Sequence, residues 1–228
     1  MMIFRDRTDA GRRLAALLGA YAQRRDTLVL GLPRGGVPVA YEVARALGAP
    51  LDIIIVRKLG VPAEPELAMG AIASGGVRVL NNAVIASMGV SPEAVEAVTA
   101  RERRELERRE RVYRGGRPAP EIADRTVILV DDGIATGATI RAAVMALRQL
   151  HPARIVIATP VAAPSTCAEL RPLVDDLICA QSPEDLYGIG FWYERFPQLS
   201  DNELRAYLAA AWQEDGELAP DARPVAEG

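Results

Sequence analysis

The segment Val127 to Thr139, VILVDDGIATGAT, sets an apolar run against two adjacent carboxylates, Asp131 and Asp132, and then against a loop of small and hydroxyl-bearing residues. A buried strand that turns through such a loop into a helix gathers free backbone N–H groups, hydroxyls and the positive end of a helix dipole at one point. That combination receives an anion, most simply a phosphate monoester. The carboxylates repel phosphate. They accept hydrogen bonds from neighbouring hydroxyls, or approach a metal or a developing positive charge. A phosphate close to a vicinal diol describes a ribose 5-phosphate. The chain carries its own control: LVDDLICAQSP, around Asp175 and Asp176, repeats the apolar-DD pattern without the TGAT loop, so adjacent aspartates alone are not read as a site.

A second candidate comes from composition. Of 27 basic residues, 26 are arginine, and Lys58 is the only lysine. It stands at the end of LDIIIVRKLG, after Arg57, and strand ends are where α/β folds place function. Arginine bias of this size is also a property of genomes, so the lone lysine reads either as accident or as a position that needs a compact, mobile ammonium. The single histidine, His151, sits before a proline at a helix end, which gives a histidine base little support. Cys167 and Cys179 lack metal-ligand spacing and read as small buried apolar groups.

The elements that must position these residues alternate. An amphipathic helix over Asp9 to Arg24 precedes the buried strand TLVLGL, the loop PRGG and a helix from Val37 to Leu47. LDIIIV is read as a second buried strand. AMGAIA and VRVL flank Gly75 and Gly76 as a hairpin. Ser91 and Pro92 are an N-cap and first-turn pair opening a long helix to about Tyr113. RTVILV, a helix over Thr139 to Leu150, and RIVIATPV form a strand, helix, strand unit. Buried strands alternating with helices predict a three-layer α/β/α fold with a mostly parallel twisted sheet. The expected organisation is one domain over residues 1–213, with a core over 27–180 and a helical insertion over 91–118. A small hood is drawn from the N-terminus and residues 181–200, and 214–228 reads as a disordered tail.

The 228 residues are 50% hydrophobic and 25% charged with net charge -3, and the pI near 5.4 gives no general attraction to nucleic acid or anionic membranes. No apolar run fits a signal peptide or a membrane span. A soluble cytoplasmic protein is expected, with nucleic acid disfavoured as a partner. The stretch RERRELERRERVYRGGR carries eight arginines against four glutamates, with Arg101/Glu105, Arg103/Glu107 and Glu107/Arg111 spaced for i,i+4 pairs. It reads as a solvated face, or as an arginine-rich element near an anionic ligand or RNA.

These motifs resemble those of the type I phosphoribosyltransferases. VILVDDGIATGAT is similar to their phosphoribosyl pyrophosphate (PRPP) signature, GLPRGGVPVA resembles their pyrophosphate loop, and VRKLG resembles the strand end before the catalytic loop of adenine-type members. IGFWYERF resembles, more loosely, the segment that closes over the base. The resemblance implies a glycosyltransferase that joins the 5-phosphoribosyl group of PRPP to a nitrogenous base with release of pyrophosphate. It implies that Ala135, Thr136, Gly137, Ala138 and Thr139 bind PRPP, the last four at its 5-phosphate, with Asp131 and Asp132 on the ribose hydroxyls. Arg34, Gly35 and Gly36 would bind pyrophosphate, in a loop that often contains a non-proline cis peptide. Arg57 and Lys58 would lie beside the pyrophosphate or base, and Phe191, Trp192 and Tyr193 would stack on the base. Mg2+ is implied mainly through PRPP, with Asp131 and Asp132 the protein groups able to approach it. Displacing pyrophosphate passes through an oxocarbenium-like state, so Asp131, Asp132, Lys58 and Arg34 would act by position and charge. An arginine of the long helix would join them on the departing diphosphate. Where 6-oxopurine members have an aspartate before the TG, this chain has Ala135, which points away from hypoxanthine and guanine. The long arginine-rich insertion stands where the family has a mobile loop. A PRPP-binding regulator, a phosphoribosyl hydrolase and a phosphorylase stay open beside the transferase, as does a homodimer.

Overall fold

The computed structural model describes residues 3–218. Its main sheet has five parallel strands, β1 (Thr27–Gly31), β2 (Leu51–Ile53), β6 (Thr126–Val130), β7 (Arg154–Val161) and β8 (Asp176–Gln181), in the order β2-β1-β6-β7-β8. Alternate residues face opposite layers. Val29, Ile128 and Val156 point into one core with α1 (Arg7–Leu17) and α2 (Gly36–Leu47). Leu28, Val127 and Ile155 point into another with α5 (Ala138–Arg148) and α6 (Pro164–Leu170). With both faces covered, β1, β2 and β6 are buried throughout and β7 is buried after its first residue, which is why they read as continuous apolar runs, whereas the edge strand β8 is mostly half-buried.

A smaller antiparallel sheet, β3 (Val56–Val61), β4 (Glu64–Ala73) and β5 (Val77–Leu80), stands apart from the first. The hairpin expected around Gly75 and Gly76 is its β4–β5 turn, and both glycines have positive φ, 81° and 78°. LDIIIV corrects the sequence expectation, because it is not one strand. β2 stops at Ile53, and the chain crosses between sheets through Ile54 and Ile55, which are buried in opposite cores. The Ile55 N–H donates to Ser74 Oγ (3.1 Å), and its carbonyl accepts from the Ser74 N–H (2.9 Å). Period alone cannot detect this break, since an apolar run buried on all sides looks the same whether one sheet or two receive it.

After the small sheet come α3 (Asn82–Ser87), which contacts β4, and α4 (Pro92–Arg114), which packs on β3 and β4. Ser91 caps α4, accepting from the Ala94 N–H at 3.2 Å, Pro92 opens it, and Gly115 ends it with φ 58°. The expected i,i+4 pairs give way to others: Glu105 pairs with Arg108 and Arg109, and Arg101 pairs with Glu102. A glutamate N-terminal to its arginines is the favourable order, and Arg101 is drawn instead to the buried Glu102. At the far end, buried Arg114 pairs with buried Asp52 of β2 (2.8 Å) and donates to the Ile53 carbonyl (2.6 Å), tying the helix to the main sheet.

α1 is shorter than expected, with Asp6 capping it and a 3₁₀ turn over Gly19–Tyr21 following. The final helix, α7 (Asp201–Leu218), has no counterpart in the sequence reading and takes in the first residues of the expected tail. The remainder of that tail, 219–228, lies outside the described residues. Among the described residues no helix is long and apolar enough to cross a membrane. A third core joins Phe4 to Trp192 and Tyr193. There the Phe4 N–H donates to the Trp192 carbonyl (2.9 Å) and the Glu194 N–H to the Phe4 carbonyl (2.8 Å).

Candidate active site

From β1 the chain crosses through α2 to β2 on one side, and from β6 through α5 to β7 on the other. The strand order therefore reverses between β1 and β6. The crevice beyond the carboxyl ends of strands at such a switch point is where open α/β sheets bind ligands. Parallel pairing in register, Gly31 opposite Val130, brings the loops after β1 and β6 together there.

Those loops touch. The Leu32 N–H donates to the Val130 carbonyl (2.9 Å), and a cis peptide joins Pro33 to Arg34. Gly35 and Gly36 are needed for the approach. A Cβ on Gly35 would overlap the Asp132 carboxylate, and one on Gly36 would come within 2.6 Å of the Val130 carbonyl. Gly35 thus lies directly against Asp132, and Gly36 against Asp131. The Arg34 guanidinium lies 3.6 Å from the Asp201 carboxylate at the start of α7, and the same carboxylate accepts from the Tyr113 hydroxyl at the end of α4 (3.0 Å).

The carboxylates differ in their surroundings. Asp131 Oδ1 accepts from the Asp132 N–H at 2.9 Å. Burial, and then the charge of Asp132 beside it, push its carboxyl well above the ordinary carboxylate range. Burial also raises Asp132, against the opposing charge and hydrogen bond of Arg7. Arg7 Nε donates to Asp132 Oδ2 at 2.7 Å, Arg7 NH1 donates to the Pro197 carbonyl at 2.8 Å, and the guanidinium lies 3.9 Å over the Phe196 ring. The Tyr193 hydroxyl, held protonated by burial, donates to the Asp132 carbonyl at 2.6 Å. Sequence reasoning missed Arg7. It lies just before the helix expected from Asp9, and nothing local marks such a residue as a partner of Asp132.

The TGAT loop is pinned at both sides. The Ile134 N–H donates to the Val161 carbonyl (2.9 Å), and Thr166 of α6 donates from Oγ1 to the Ala135 carbonyl (2.9 Å). Gly137 takes a left-handed φ of 72° to start α5. Ala135, Thr136, Ala138 and Thr139 are exposed, so the helix N-terminus opens outward. Thr166 also escaped the sequence reading.

Arg57 and Lys58 lie on β3 of the small sheet, not at the end of a main-sheet strand. Arg57 is bound to Glu102, and Lys58 donates to the Glu66 carboxylate at 3.0 Å. They nevertheless share with Thr139, at the end of the TGAT loop, the lining of a cavity of about 470 Å³ to which Arg101 and Glu102 also contribute. The aromatic triplet divides. Trp192 and Tyr193 are buried in the hood core, where Tyr193 stacks on Phe196 at 4.8 Å, whereas Phe191 is 75% exposed. Ile189 rests on Gly133, just after the carboxylates, where a Cβ would displace it. The control pair is structural: at the amino end of β8, Asp175 accepts from the Ile155 N–H (2.8 Å) and Asp176 from the Tyr21 hydroxyl (2.8 Å).

Among the described residues no group of three or more His, Cys, Asp or Glu side chains could enclose a metal ion. The site brings the Asp131 and Asp132 carboxylates together with the exposed N-terminus of α5.

Comparison with known proteins gives a consistent result. The family model for phosphoribosyl transferase domains matches residues 4–191. Two curated proteins of Mycobacterium tuberculosis, one from strain CDC 1551 / Oshkosh and one from strain H37Rv, are described as putative phosphoribosyl transferases. Each is 44% identical over 217 residues, covering 95% of this chain and 49% of the relative. The chain thus spans about half the length of these curated relatives. A crystal structure of the protein TT1426 from Thermus thermophilus superposes with a TM-score of 0.84 at 40% identity, covering 92% of this chain and 99% of that one.

Proposed function

Since the chain belongs to the phosphoribosyl transferase family, we propose that its switch-point crevice binds PRPP and transfers the 5-phosphoribosyl group to a nitrogenous base, releasing pyrophosphate. One observation carries this reading: Asp131 and Asp132 are wedged between the Pro33 to Gly36 loop and the open N-terminus of α5. A ligand held there meets carboxylates for a diol with a phosphate site on one side and a glycine loop on the other. Thr136 to Thr139 take the 5-phosphate, and Asp131 and Asp132 take the ribose hydroxyls. Arg34 with the Gly35 and Gly36 backbone takes the diphosphate. With two carboxylates, one of them held by Arg7, the donor set suits a Mg2+ ion that arrives on the diphosphate and keeps waters of its own. That ion, when bound, spreads the charge of the leaving group.

The chain's own groups act by position. Asp131 and Asp132 place negative charge beside the carbon that becomes cationic, and the backbone N–H groups of α5 anchor the other end of the sugar phosphate. No side chain need accept the sugar covalently. Ala135, where 6-oxopurine members have an aspartate, points to a base other than hypoxanthine or guanine.

Calorimetric titration with PRPP and Mg2+, on wild type and on Asp131→Asn/Asp132→Asn, tests the site, and a pyrophosphate-release screen over bases tests the reaction. Micromolar binding lost in the double variant, with release for one base, is the expected outcome. Absence of binding sinks the assignment. Binding without release for any base favours a PRPP-responsive regulator, for which the exposed Arg104, Arg108 and Arg111 of α4 would form the contact surface.

A further inference from the structure

Asp131 and Asp132 stand side by side, and among the described residues the pair has one cationic partner, Arg7. That arginine comes from α1, 125 positions earlier in the chain, and is 8% exposed. Its guanidinium is held on three sides. Nε binds the Asp132 carboxylate, NH1 binds the Pro197 carbonyl, and the Phe196 ring lies against its face. The main chain of Asp132 is tied to the same cluster, because the Tyr193 hydroxyl donates to its carbonyl while the Tyr193 ring stacks on Phe196. A planar fork fixed by several partners cannot follow a moving carboxylate, so it sets the rotation of Asp132.

The consequence concerns which oxygens are left. Arg7 commits Asp132 Oδ2, and the Asp132 N–H commits Asp131 Oδ1. The Pro33 to Gly36 loop backs the same side of Asp132, since a Cβ on Gly35 would overlap Oδ2 before Oδ1. The two side chains also lie within hydrogen-bonding reach of each other, the close spacing that adjacent hydroxyls on one ring require. A sugar lacking one of those hydroxyls would leave a buried carboxylate oxygen unpaired, which is how a site built for a hydroxyl rejects its deoxy analogue.

We propose that Arg7 is a positioning residue that, by holding Asp132 Oδ2, presents Asp132 Oδ1 beside Asp131 Oδ2, so that the pair reads two adjacent hydroxyls and selects ribose over its deoxy forms. The inference rests on the phosphoribosyl reading given above and adds to it a residue from outside both loops. Arg7 does not touch the sugar and acts through Asp132.

The test is calorimetry with ribose 5-phosphate, 2-deoxyribose 5-phosphate and 3-deoxyribose 5-phosphate, each with Mg2+, on wild type, Arg7→Met, Arg7→Lys and Arg12→Ala. Wild type should prefer ribose 5-phosphate over each deoxy sugar by about ten- to a hundredfold, the range for hydrogen bonds to a charged acceptor. In Arg7→Met the preference over at least one deoxy sugar should fall to about threefold or less, with the affinity for that deoxy sugar itself within about twofold of wild type. Arg7→Lys keeps the charge without the fork and should recover part of the preference. It is also the variant that decides the matter if Arg7→Met does not fold. Arg12→Ala removes a charge from the same helix, where Arg12 pairs with Glu42 and is 62% exposed, and should change no ligand. Full preference in both Arg7 variants, or an equal loss of all three sugars in them, overturns the inference while leaving the phosphoribosyl reading standing. A loss in Arg12→Ala matching that in Arg7→Met overturns it as well, since a general field would then explain both. So does a wild type that binds all three sugars equally, because the carboxylates would then read no hydroxyl. A wild type that binds none of them overturns both readings.

Discussion

Gly35 has no side chain, and the site depends on that. The Asp132 carboxylate occupies the volume a Cβ would take, so Gly35→Ala must push the Pro33–Gly36 loop off the carboxylate pair. The expected result is at least about tenfold weaker binding of Mg2+ and PRPP with a stability loss of about 1–3 kcal/mol, typical of overpacking, read by calorimetry and urea denaturation. Wild-type affinity in that variant would mean that the loop and the carboxylates do not act on one ligand. Thr166 works at the other side of the site, through a single hydrogen bond to the Ala135 carbonyl. Thr166→Val should cost about 0.5–1.5 kcal/mol and weaken ribose 5-phosphate several-fold, with no selectivity between it and PRPP. Calorimetry with both ligands checks this, and a loss confined to PRPP would contradict it. The acidic pair and its glycine loop are legible from residue types, but Thr166 is not, because a threonine early in a short helix carries no sign of the carbonyl it will meet.

At the scale of elements, α4 is the least typical part of the chain. Its caps are written locally in Ser91, Pro92 and Gly115, so its extent could be read off the sequence. Its pairings could not, because they depend on which face is buried. Glu105 shows the consequence. Hydrogen bonds from Arg108 and Arg109 hold its carboxyl at about 2, below the ordinary 4.5. A carboxylate with a depressed folded value stabilises the protein above its unfolded value and loses that contribution as pH falls. The window here runs from about 4.5 down to about 2. Glu105→Gln should therefore be modestly less stable than wild type above about 4.5 and converge with it as pH falls toward about 2, which flattens the acid limb in that window. Urea midpoints followed by circular dichroism across the range decide the matter, and an unaltered acid limb would count against the pairing.

For the molecule as a whole, Arg7 is the keystone. It joins α1, the end of β6 and the hood by binding Asp132, the Pro197 carbonyl and the Phe196 ring. Arg7→Met leaves Asp132 buried without its cation, and losing one partner of such a pair costs about 3–5 kcal/mol. The variant should melt earlier, and Asp132→Asn in the same background should recover part of the loss, as coupled sites do. Additive losses would show that the two residues act separately. The sequence by itself determined the strands TLVLGL, RTVILV and RIVIATPV, the β4–β5 hairpin, the TGAT and glycine loops and the capped helix, because periodicity, turn chemistry and capping are properties of neighbouring residues. It also determined the kind of fold, since buried runs alternating with helices can close into few architectures. Only the tertiary structure decided that LDIIIV divides between two sheets, that Arg57 and Lys58 share a cavity with Thr139 from the smaller one, and that Arg7 binds Asp132 and Thr166 the Ala135 carbonyl. Those outcomes depend on contacts between residues more than a hundred positions apart in the case of Arg7 and Asp132, and local pattern carries no record of them.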